Sequence, residues 1–233
     1  MSMGIITITT ATMTTTTITD GLYRLLAWTS PAYPTGAYSY SHGLEFAVED
    51  GLVRDRASLA AWIGHILRHG AGWVDAVLFA RAYEAGDETL REIAELAMVW
   101  RGTSETALES TQQGTSFLTV TRNAWPDDGL NLLGDRPVAL PIAFAVAARS
   151  VPRDAALTAF LHSVAANLVS AGVRLVPLGQ TDGQRAIADL APVVAEVAAR
   201  AADCPLDRLG SAAPMVDWTS MRHETQYTRL FRS

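Results

Sequence analysis

The chain has 233 residues, of which 49% are hydrophobic, and its 18 basic against 24 acidic side chains give a formal charge of −6. The charge excludes a strongly basic nucleic-acid binder, and the apolar share excludes disorder of the whole, since chains of this size bury about 70% of their unfolded surface. Every basic residue is an arginine, which removes a Schiff-base lysine and the lysine of a G-x-x-x-x-G-K-[ST] loop, so a self-sufficient P-loop NTPase is excluded on chemistry.

Residues 1–20 hold nine threonines but neither a positive n-region nor a leucine-rich h-region. They do not resemble a signal peptide and read as a disordered tail, with an edge strand as the lesser alternative. From Leu22 onward the apolar spacing is helical almost throughout. The stretch Pro31 to Glu45 is the exception: three tyrosines, two prolines and two glycines stand in fifteen positions. That is a segment with a shape rather than a period, suited to a buried loop or a partner surface and held in place by its domain.

Leu59, Trp62, Ile63, Ile66 and Leu67 follow the i, i+3, i+4 rule, and Leu90, Ile93, Ala97 and Trp100 repeat it after Gly86-Asp87. Both runs predict amphipathic helices. His65 and His69 share one face of the first, which would supply half of a four-coordinate metal site. No Cys or second His pair stands nearby to complete it, so they read as polar residues near a helix end, and no metal or cofactor is expected. Asn123 to Pro137 is turn-rich and exposed, the best place for a domain boundary, yet the helical stripes on either side can share one core. Pro137 to Ala148 is apolar but short of the ~20 residues of a membrane span, hence a core segment.

Leu157, Phe160, Leu161, Val164 and Leu168 predict a helix from Pro152 to Gly172; Ile187, Leu190, Val194, Val197 and Ala201 predict another. Between them, Val173 to Gly183 has too many glycines to continue a helix and is expected as a loop. Cys204 is the lone cysteine, which fits a reducing compartment and a cytoplasmic location. The fold class is therefore all-α: one domain over 21–233 with roughly eight to ten helices.

No catalytic template is met. His223-Glu224-Thr225-Gln226-Tyr227 begins like a zinc-protease helix but has Tyr227 where the second imidazole belongs. Ser39 and Ser41 lie near His42 without the flanking glycines of a nucleophile elbow. An enzyme would need a site assembled in three dimensions, for instance from His42, Glu45 and Asp75. From Trp218 to Ser233, Arg222, Arg229 and Arg232 outnumber Glu224, and Trp218, Met221, Tyr227, Leu230 and Phe231 add apolar anchors. This is the residue alphabet of interfaces. We expect a partner-binding element whose removal spares the fold, against the plainer reading of a terminal helix packed on its own core.

Three segments in order carry a resemblance: S-P-A-Y-P-T-G-A-Y-S-Y-S-H-G-L-E (Ser30 to Glu45), P-L-G-Q-T-D-G-Q (Pro177 to Gln184) and S-M-R-H-E-T-Q-Y-T-R-L-F-R-S (Ser220 to Ser233). With Trp62, Asp75, Trp100 to Glu105 and Gln113-Gly114 between them, the chain is similar to the UreF family of urease accessory proteins from about Leu22 to Ser233. The resemblance implies an all-helical, homodimeric adaptor without catalysis of its own, which joins UreD (UreH) and the GTPase UreG in the complex that loads nickel into apo-urease. It implies partner contacts at Tyr38, Ser39, Tyr40, His42, Glu45, Gln180, Arg222, His223, Glu224, Tyr227, Arg229, Leu230 and Phe231. No nucleic acid and no membrane are expected as partners. A helical scaffold unrelated to nickel is the alternative.

Overall fold

The computed structural model describes residues 9–233, with side chains from Thr19 onward. Ten α-helices follow one another among the described residues: α1 (Thr9–Trp28), α2 (Leu44–Glu49), α3 (Arg56–His69), α4 (Ala71–Glu84), α5 (Asp87–Val99), α6 (Ser104–Ala124), α7 (Leu140–Ala147), α8 (Arg153–Leu175), α9 (Gln180–Ala202) and α10 (Pro214–His223). Short 3-10 turns join several of them, and no strand occurs among these residues. Of the tail expected over 1–20, residues 1–8 lie outside the described residues, and α1 begins at Thr9.

Local chemistry starts the helices where tertiary structure needs them. Asp55 accepts the Ser58 N–H at 2.8 Å while Ser58 answers toward the Asp55 N–H, a capping box that opens α3. Thr103 and Thr106 do the same for α6. Such caps satisfy amide donors that have no partner inside the helix, typically ~1 kcal/mol each.

The centre is built on α4 and α7. All of α7 after its first residue is buried, and α4 packs against α3, α7, α8 and α9. Phe144 of α7 meets Trp28, Phe79, Phe117 and Phe160 at ring centroid separations of 5.9, 6.1, 5.1 and 5.6 Å. The four rings come from α1, α4, α6 and α8, so one side chain ties the layers together. The core continues across the Asn123–Pro137 connection, where α6 packs on α7 and Leu130 is buried.

Two expectations are corrected here. The α8 helix does not stop at Gly172 but runs to Leu175: a Cβ on Gly172 would lie 2.5 Å from Leu59 Cδ1, so this glycine permits α3 to approach α8 and does not end it. The loop expected over Val173 to Gly183 shrinks to Val176–Gly179, because Gln180 to Gly183 form the first turn of α9, where Gly183 is buried against Val173. The α8 helix is long and apolar enough to cross a membrane by length and composition, but half of that window is buried among its neighbours.

Candidate functional site

The Tyr-rich loop ends in two consecutive left-handed residues, His42 (φ 57°) and Gly43 (φ 74°). A Cβ on Gly43 would stand 2.7 Å from the Ser220 backbone nitrogen, so this turn lies directly against α10. His42 pays a strain that only a firmly held surround maintains, about 1–3 kcal/mol for a side-chain-bearing residue in such a conformation.

The chain after α10 supplies that surround. The Arg232 N–H donates to Ser39 O at 2.8 Å, and the Ser41 N–H donates to Ser233 O at 2.8 Å, with the Ser41 hydroxyl on the same oxygen. Glu45 accepts the Leu230 and Phe231 N–H groups at 2.7 and 2.9 Å. Between Glu45 and Glu105 sits the fully buried His223, its Nε2 3.1 Å from Glu45 Oε2 and its Nδ1 2.8 Å from Glu105 Oε2. Both ring nitrogens thus face a carboxylate, and Arg229 Nη1 adds a charged contact to Glu105 at 3.0 Å. Burial raises the Glu105 carboxyl above its usual range, with His223 and Arg229 pulling against that shift. The seam is closed on its far side by Thr103 Oγ1 and Ser220 Oγ, 2.7 Å apart.

Beside the seam lies a cavity of about 310 Å³, bounded by residues 28–38 and by faces of α6 and α8. Its polar end holds His42, whose Nδ1 is 3.2 Å from Glu109 Oε2, and Asp75, which accepts from Arg101 Nη1 at 2.6 Å. Burial pulls the His42 ring down, but the charge and hydrogen bond of Glu109, with Asp75 behind it, outweigh burial and raise it. Burial likewise raises Asp75, against the Arg101 charge. Ser233 Oγ donates to Glu109 at 3.0 Å, so the tail touches this corner too. Of the trio that would make an enzymatic pocket, His42 and Asp75 line the cavity, whereas Glu45 is committed to the seam. The Ser41 hydroxyl is committed to Ser233, which removes it as a nucleophile toward His42. Among the described residues no group of three or more His, Cys, Asp or Glu is arranged to hold a metal ion.

A family model for UreF matches residues 53–191. The chain is 52% identical over 221 residues to the urease accessory protein UreF of Rhodopseudomonas palustris strain BisB5, covering 91% of each chain. It is 51% identical over 229 residues to the same-named protein of Granulibacter bethesdensis, covering 94% of this chain and 97% of that one. The chain belongs to the UreF family. The all-helical architecture agrees with what the three UreF-like segments implied.

The UreF-like segments do not stand apart as separate docking elements. The structure brings the first and third together, and within Met221 to Ser233, expected to be removable without loss of the fold, His223, Phe231 and Ser233 are buried. Nor is the arginine excess of the tail free. Arg222 lies over the Phe46 ring at 5.5 Å, Arg232 over Tyr40 at 5.8 Å, and Arg229 pairs with Glu105. Tyr40, Glu45, His223 and Phe231, expected to meet a partner directly, are inside this chain and hold the tail. Ser39 and His42 are half-buried; Tyr38, Arg222, Glu224, Tyr227, Arg229 and Leu230 are exposed. Gln180 is exposed on the first turn of α9, and no hydrogen bond joins it to the seam. Sequence reasoning missed Glu105, Glu109 and Ser220 as site residues, although Glu105 closes the Trp100 to Glu105 signature and Ser220 opens the third segment.

Proposed function

We propose that this chain is a non-catalytic adaptor of urease maturation that joins UreD (UreH) and the GTPase UreG in the complex delivering nickel to apo-urease. It acts as a cytoplasmic homodimer and contacts its partners through the surface above the seam. The observation that carries this reading is the contrast at the tail: His223, Arg229 and the Leu230 and Phe231 amides are bonded inside the chain, while Tyr227 is fully exposed, Leu230 is 65% exposed and Met221 50%. Apolar side chains held outward on an anchored backbone cost little further ordering on binding, which suits them as interface anchors. With all three tail arginines engaged and no lysine present, positioning of UreG is favoured over a catalytic arginine supplied in trans.

The test is capture of UreD by the variant Tyr227→Ala/Leu230→Ala. We expect thermal stability within about 0.5 kcal/mol of the parent, as for exposed sites, and a loss of capture by tenfold or more. Undiminished capture would remove this surface from the interface.

A further inference from the structure

The five histidines fall into three groups that differ in what their rings touch. His42 and His223 are bonded to carboxylates. His162 is exposed and stands alone on α8. His65 and His69, both exposed on α3, face each other with ring centroids 5.0 Å apart and planes inclined at 47°. Neither ring has a hydrogen bond or ion pair among the described residues. The adjacent cation is also held away, since Arg68 Nε is bonded to Glu196 Oε2 at 2.8 Å.

We propose that His65 and His69 form a two-imidazole site for a borderline divalent cation of the zinc, nickel or copper class. One helical turn separates the two residues and brings their ring centroids to 5.0 Å, and i, i+4 is the spacing by which histidines on one helix chelate such ions. Neutral imidazole suits these metals and not magnesium or calcium, which require oxygen ligands. Two protein ligands leave the remaining coordination positions to water or to groups from another molecule. The site is therefore open and exchangeable, a place to hold an ion briefly at the surface instead of a structural centre. The rigid mounting helps: α3 is capped at Asp55, and the His69 carbonyl at its other end accepts from the Ala212 N–H at 2.7 Å and the Ser211 hydroxyl at 3.2 Å. Neither histidine belongs to the partner surface proposed above, so the two readings fail separately.

Calorimetric titration of the tag-free full chain with Ni²⁺, and separately with Zn²⁺, tests it. The expected result is saturable binding of both ions, none of Mg²⁺, and at least about tenfold weaker binding in His65→Ala and in His69→Ala, a loss of ~1.4 kcal/mol or more. His162→Ala serves as the control and should bind as the parent does. All three positions are exposed, so circular dichroism should remain unchanged. Absence of Ni²⁺ and Zn²⁺ binding in the parent would overturn the proposal, as would parent-like binding in both α3 variants or an equal loss in His162→Ala.

Discussion

Around Phe144 the chain is closed by four aromatic rings from four helices; around His223 it is closed by two carboxylates, an imidazole and a guanidinium. Phe144 and His223 are both buried, yet their surroundings fix different things. Aromatic packing tolerates small shifts and supplies much of the driving force for folding. A buried charge cluster contributes little net stability over an apolar equivalent, but it rejects every register in which a charge lacks its partner. The first centre therefore holds the helices together, and the second dictates where the tail lies.

The largest effect is expected at Phe144. Phe144→Ala should destabilise the whole chain by about 3–5 kcal/mol through lost burial and a residual cavity, read as one cooperative shift in urea unfolding with helical signal and tail protection lost together. A loss confined to one helix would deny this residue its central part.

His223→Ala comes next, at about 3 kcal/mol, because it leaves two carboxylates facing each other with only Arg229 to balance them. Its signature should be local as well as global. The Leu230 and Phe231 amides should lose hydrogen-exchange protection at conditions where α4 and α7 keep theirs. Parent-like protection at Leu230 and Phe231 would show that the tail is held by its apolar contacts instead.

The smallest effect is the pH dependence at the corner shared by seam and cavity. His42, faced by Glu109, Asp75 and Arg101, is raised above its ordinary 6.5, so its contribution is fully present below that value and is lost as pH rises through the folded value. Asp75 and Glu105 are raised from 3.8 and 4.5, which disfavours their ionised forms in the fold; their contributions also decline as pH rises through their folded values. All three have the same sign. Urea midpoints should fall from pH 6 to pH 8.5, and Glu109→Gln should flatten that fall by removing the charge that raises His42. A midpoint that climbs over this interval would contradict the assignment.

Helical periodicity located α3, α5, α8 and α9, because each buries one stripe against the core and an apolar stripe has a period. The glycines misled where they serve packing: Gly172 and Gly183 sit inside helices, where the sequence alone reads them as breaks. At the candidate site, composition singled out both halves of the seam, but not that they close on each other. Nothing in the spacing of Glu45, Glu105 and His223 says that one imidazole bridges two carboxylates from distant helices. The surplus of arginine in the tail looked available for partners, since a linear count of charges does not record Glu105 or the rings of Phe46 and Tyr40 as its counterparts.

The seam also has a place in time. His223 is 178 positions from Glu45 and 118 from Glu105, and Ser41 is 192 positions from Ser233. Contacts of such separation close late, after local helices have paired and the intervening chain has condensed. During synthesis both carboxylates leave the ribosome well before their imidazole does. A nascent chain thus passes through an interval with its core helices present, Glu45 and Glu105 hydrated and the Tyr-rich loop unlatched, and the arrival of residues 223–233 ends that interval.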